Sequence, residues 1–104
     1  MARGDGLYVR LSVAEVRGFQ MMALPVGCRW LLFFLRCLAL EQRCETISRP
    51  ADRLLATMSG LTHHPIAGYL LRLHRLKLLI VNARTMKVIG LRENHAKLQG
   101  WHDP

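Results

Sequence analysis

Residues 60–81 read GLTHHPIAGYLLRLHRLKLLIV, and the parsing of this stretch decides the fold. Ile66, Tyr69, Leu70, Leu73 and Leu76 recur at i, i+3, i+4, i+7 and i+10, which is one apolar face of a helix. Thr62 suits its N-cap, and Pro65 falls in the first turn, where a missing N–H is tolerated. The spacing predicts a helix from Thr62 to about Lys77. Then the period changes. Leu78–Asn82 and Met86–Leu91 are apolar, β-branched-rich runs around Ala83–Arg84–Thr85, the pattern of a hairpin.

Working outward, Ser48–Arg49–Pro50 marks another helix start, with Asp52 in the first turn near the positive end of the dipole. This helix is expected to run to Met58 and to bury Leu54, Leu55 and Met58, with Ser59–Gly60 as its stop. Farther back, Pro25 opens a long helix to about Cys44. Its apolar residues Trp30–Leu35 point in all directions, so it is expected to be the central element. Leu7–Ser12 alternates like a short strand, and Val13–Met22 has helical spacing. Glu93–Pro104 is a polar tail in which Trp101 is placed to dock on the core. The expectation is one domain over residues 1–104, mainly α with a small β-hairpin, an α+β fold.

Length and composition agree with a single domain that can build its own core. Fifteen Lys and Arg against seven Asp and Glu leave a net charge of +8. Residues 1–47 hold six Arg and four acids, whereas residues 48–104 hold nine basic side chains and three acids. A charge so placed points to a polyanion as partner. Cys28, Cys37 and Cys44 fit neither a zinc knuckle nor a CxxC pair, so buried free thiols in a reducing compartment are expected. The most apolar segment, residues 24–40, contains Arg29 and Arg36 and is too short in uncharged run to span a bilayer. The start, MARGDGLYVR, lacks the apolar core of a signal peptide, and a cytoplasmic protein with no membrane partner is expected.

Leu54-Leu55-Ala56, Gly60-Leu61-Thr62, Ile66, Leu70, Leu73 and Leu78-Leu79-Ile80 together resemble winged helix-turn-helix domains. These occur in transcription regulators and in plasmid and phage replication proteins. The resemblance covers about residues 49–91, and the N-terminal piece is similar in flavour to the start of phage replisome-organiser domains. It implies a helix-turn-helix over residues 48–77, a wing over 78–92 and an N-terminal element over 1–47 that dimerises or completes the core. It further implies that the helix from Thr62 to Lys77 enters the major groove of double-stranded DNA while the wing near Arg84 meets the backbone.

On a helix starting at Thr62, the outward side carries His64, Ala67, Gly68, Leu71 and Arg75, flanked by Arg72, His63 and His74. His63 and His64 are the nearest candidates for base or backbone contact, and Ala67, Gly68 and Leu71 offer only van der Waals contact, for instance to a thymine methyl. Arg72, Arg75, Lys77, Arg84 and Lys87 are the candidate phosphate contacts. The competing reading is a protein-binding face at Leu71, with Trp30 and Phe34 as further interface candidates. On that reading the chain is an adaptor or inhibitor from a mobile element, and a replication-initiation domain is a third alternative. A homodimer is expected because so apolar a helix as residues 25–44 is hard for a small domain to cover alone.

Metal ligation by the histidines is not expected: adjacent His63 and His64 diverge by about 100°, and His74 lies about 16 Å along the axis. No carboxylate pair, nucleophile–base arrangement or glycine-rich phosphate loop stands out, so neither catalysis nor a cofactor is expected.

Overall fold

In the computed structural model of the 104-residue chain, residues 9–102 are described. Helix α1 (Val13–Met21) opens with a capping box. The Ser12 hydroxyl accepts from the Glu15 N–H at 3.0 Å, and the Glu15 carboxylate accepts from the Ser12 N–H at 3.3 Å. The strand expected over Leu7–Ser12 is therefore absent over residues 9–12, because Ser12 is engaged as a cap. Leu7 and Tyr8 lie outside the described residues. Helix α1 buries Phe19, whose ring meets Phe33 at 6.1 Å between centroids.

Helix α2 (Val26–Gln42) follows Pro25 and is the centre of the core, with Leu31, Leu32, Leu35 and Ala39 fully buried. The helix is the central element, as its apolar pattern predicts, but it is not covered on all sides. Helix α4 and strands β1 and β3, described below, pack on α2, while Val26 and Trp30 stay 76% and 51% exposed. Cys28 is buried, but Cys44 is only half-buried and Cys37 is exposed on the outer side of the helix, which corrects the expectation of buried thiols.

A short strand, β1 (Thr46–Ser48), comes next, where the sequence pattern predicts no element. It joins β2 (Leu79–Val81) and β3 (Thr85–Val88) in a three-stranded antiparallel sheet of order β1–β3–β2, in place of a two-stranded hairpin. Ile47 faces Met86 and Leu79 faces Val88 in the register, and all four side chains are buried against the helices.

Helix α3 (Asp52–Ser59) starts after Ala51, since Ser48 belongs to the strand. It buries Leu55, Ala56 and Ser59, so its inward face is turned by one residue from the expected one, and Leu54 and Met58 remain in solvent. Gly60 ends it at φ 78°, a left-handed conformation that lets the Leu61 N–H reach the Ala56 carbonyl at 2.8 Å.

Helix α4 (Ile66–Arg75) is shorter at both ends than expected. Pro65 disfavours helical backbone in the residue before it, so Thr62–His64 form a turn and Thr62 caps nothing. At the other end the Lys77 N–H bonds the His74 carbonyl and the Leu78 N–H bonds the Leu73 carbonyl, both at 3.0 Å. That pair closes the helix with Lys77 left-handed at φ 60°. Ile66, Leu70 and Leu73 are buried as the spacing predicts, with Tyr69 and Leu76 half-buried beside them. Helix α5 (Leu91–Asn94) and the following tail close the base of the core: Trp101 is half-buried and donates its indole N–H to the His95 carbonyl at 3.3 Å. The result is an α+β fold of five helices and one small sheet among the described residues, none of whose helices is long and apolar enough to cross a membrane.

Candidate nucleic-acid interface

The forty residues from Arg53 to Arg92 contain seven Arg or Lys and no Asp or Glu. They form most of α3, all of α4 and the β2–β3 hairpin, so one continuous part of the fold is free of negative side chains. Within it the side chains of Arg53, Arg75, Lys77, Arg84 and Lys87 are exposed and make no hydrogen bond or ion pair among the described residues.

Arg75 ends the last turn of α4, and Lys77 follows in the left-handed position. Arg84 sits in the three-residue turn Asn82–Arg84 between β2 and β3. Its carbonyl accepts from the Arg49 N–H at 2.8 Å, and the Arg49 guanidinium donates to the Asn82 carbonyl at 3.1 Å, so the hairpin tip is fixed to the start of α3. Arg53, absent from the sequence candidates, lies in the first turn of α3 next to that link. The signal that finds it is the acid-free run itself. Lys87 alternates with the buried Met86 and Val88 and so projects from the outer sheet surface with Ile80, apart from the exposed face of α4.

The remaining candidates divide by what holds them. Arg72 is exposed but turned back on the chain, donating to the Met22 carbonyl at 2.9 Å, so its guanidinium ties α4 to the α1–α2 turn. His63 and His64 belong to the turn before α4 rather than to its first turns. The His64 Nδ1 lies 3.0 Å from the Tyr69 hydroxyl and is pressed onto α2 where Gly27 leaves room: a Cβ there would stand 2.6 Å from that nitrogen. His74 accepts from the Val81 N–H through Nδ1 at 3.0 Å, which ties β2 to the helix. Two of the three histidines in the opening stretch are thus engaged within the fold, and His63 is exposed with no side-chain partner among the described residues. Among the described residues no three His, Cys, Asp or Glu side chains stand together as metal ligands. Burial pushes the Cys28 thiol up, with Arg72 opposing the shift, so Cys28 is a packing group beside the Tyr69 carbonyl at 3.8 Å.

On the outward face of α4, Ala67, Gly68 and Leu71 are exposed. Gly68, Leu71, Arg72, Arg75 and Leu76 line a shallow depression of about 430 Å³. Of the other interface candidates, Trp30 is exposed but donates its indole N–H to the Ser59 carbonyl at 2.8 Å, while Phe34 is half-buried against the core. Val26 and Trp30 share one side of α2, and Leu54 and Met58 one side of α3, all four exposed. The chain matches no family model, no curated protein and no solved structure.

Proposed function

We propose that this chain is a small, non-enzymatic protein that binds double-stranded DNA through α4 and the β2–β3 hairpin, in the manner of a winged helix-turn-helix regulator. The observation that carries the reading is the acid-free run from Arg53 to Arg92, whose unpartnered cations are gathered on α3, α4 and the hairpin. A duplex presents one phosphate charge per about 1.7 Å of axis, and it rewards such a surface by release of counterions. The winged-helix reading is supported by the order helix, strand, helix, helix, strand, strand from α2 to β3, and by a sheet in which the last strand lies between the other two. In this reading α4 enters the major groove and Arg75, Lys77, Arg84 and Arg53 meet phosphates, with His63 near the backbone and Lys87 at the periphery.

Fluorescence anisotropy on a random duplex tests it. Micromolar binding is expected at low salt, falling about a hundredfold between roughly 50 and 200 mM for four phosphate contacts. Absence of binding at low salt, in a protein of charge +8, refutes the reading.

A homodimer is supported by the exposed Val26, Trp30, Leu54 and Met58, which leave apolar sides of α2 and α3 open for a second copy. Sedimentation of the protein and of the Met58→Glu variant tests this part, a dimer that the charge dissolves being expected.

A further inference from the structure

We infer that the outward face of α4 reads thymine by its C5-methyl group, so that the protein prefers duplexes with thymines in the major groove over those without. This rests on the DNA-binding reading above and adds the chemical feature recognised. The face offers no Asn, Gln, Ser or Thr: its exposed residues are Ala67, Gly68, Leu71, Arg72 and Arg75, with His74 at its edge accepting from the Val81 N–H through Nδ1. Arg72 is already engaged with the Met22 carbonyl at 2.9 Å. No amide or carboxylate stands here to match the adenine edge or to accept from the cytosine amino group, Arg75 is assigned to phosphate above, and the one apolar feature of the major groove is the thymine methyl. Leu71, 48% exposed, and Gly68 stand on the wall of a depression of about 430 Å³ that has room for such a group, with Arg72 and Arg75 on the same wall attracting the anionic duplex.

Gly68 strengthens the case. Glycine in the interior of a helix is less stable than alanine there. A Cβ built at this position would meet only the Pro65 Cβ, at an ordinary 3.9 Å, so nothing inside the protein requires glycine. The contrast with Gly27, where a Cβ would collide with His64 and Tyr69, is direct. An open position beside Leu71 admits the edge of a base more closely than any side chain would.

Anisotropy on one A·T-rich duplex, and on the same duplex with every thymine replaced by uracil, reads this directly. Uracil differs by the methyl alone and leaves the phosphates in place. Binding to the uracil duplex should be about fourfold weaker per methyl contacted, with an unchanged salt slope. A G·C duplex carrying 5-methylcytosine should bind more tightly than its unmethylated form. Leu71→Ala should erase the thymine–uracil difference at unchanged Tm, and Gly68→Ala should raise Tm while weakening binding to the thymine duplex. Equal binding to thymine and uracil duplexes overturns the inference and leaves the DNA-binding reading standing. No binding to any of these duplexes at low salt overturns both.

Discussion

Arg29, Arg36 and Arg43, on and next to α2, and Arg53, Arg75 and Arg84, in the acid-free region, have opposite fates. Arg36, on α2, is buried and paired with Glu15 at 2.8 Å, its guanidinium 5.9 Å from the centre of the Phe33 ring. Arg29 donates to the Leu24 carbonyl at 2.8 Å, and Arg43 donates to the Leu40 and Gln99 carbonyls at 2.7 and 3.2 Å. These cations hold α1, α2 and the tail together. The side chains of Arg53, Arg75, Lys77 and Arg84 make no hydrogen bond or ion pair among the described residues. A net charge summed over the chain therefore hides two populations, engaged cations, Arg72 among them, and open ones, and the open ones are those a polyanion can meet.

Removing a carboxylate from the first population should have the largest effect. Glu15→Ala strands the buried Arg36 and removes the α1 capping box, for a loss of about 2–4 kcal/mol or roughly 10–20 °C in Tm. The value lies toward the lower end because the Glu15 side chain is itself 29% exposed. Thermal unfolding measures it, and the salt slope of DNA binding by the folded variant should not move. Gly27→Ala comes next. Its Cβ would stand 2.6 Å from the His64 Nδ1 and 2.9 Å from the Tyr69 hydroxyl, and such overpacking costs about 1–3 kcal/mol. Adding His64→Ala should restore part of the loss, and a double-mutant cycle by urea unfolding would show the coupling.

Lys77→Gly separates stability from function. Lysine at φ 60° is strained, and glycine there should stabilise the fold by about 1 kcal/mol. The same change should weaken DNA binding and lower the salt slope by about 1, the signature of one lost phosphate contact. A slope that stays put would move Lys77 out of the interface.

The smallest effect concerns pH. Burial, with Arg10 and Arg36 adding to it, holds the His95 pKa below its ordinary 6.5. The unfolded chain takes up a proton near that pH which the folded chain refuses. Stability from this group is thus complete above about pH 6.5 and declines as the pH falls below it. Comparing Tm across that window in the protein and in His95→Gln should show a smaller acid loss in the variant.

Much of the fold is legible in the sequence. The i, i+3, i+4, i+7 face of α4 and the change of period at Leu78 locate the second half, and Pro25 and Gly60 mark an entrance and an exit. The misses have local causes. Ser12 and Glu15 form a capping box with the S-x-x-E signature, but the alternation of LYVRLS overlaps it and points to a strand. Strand β1 has three residues and one buried side chain, too short for periodicity to register. Helix α4 starts at Ile66 because the restriction before Pro65 outweighs the capping preference of Thr62, and that moves His63 and His64 off the helix. The candidate site was legible in part, as charge but not as partnership: Arg72 and Arg75 look alike in sequence, and only the packing of the α1–α2 turn engages the first.

The most direct test compares salt slopes of DNA binding for the protein and for Arg75→Gln/Arg84→Gln, with Arg29→Gln/Arg43→Gln as the counterpart. The account predicts a slope smaller by about 2 in the first pair, at unchanged Tm. In the second pair it predicts an unchanged slope and a lowered Tm. Equal slopes for both pairs, or a loss confined to the second, would contradict the division of cations on which the account stands.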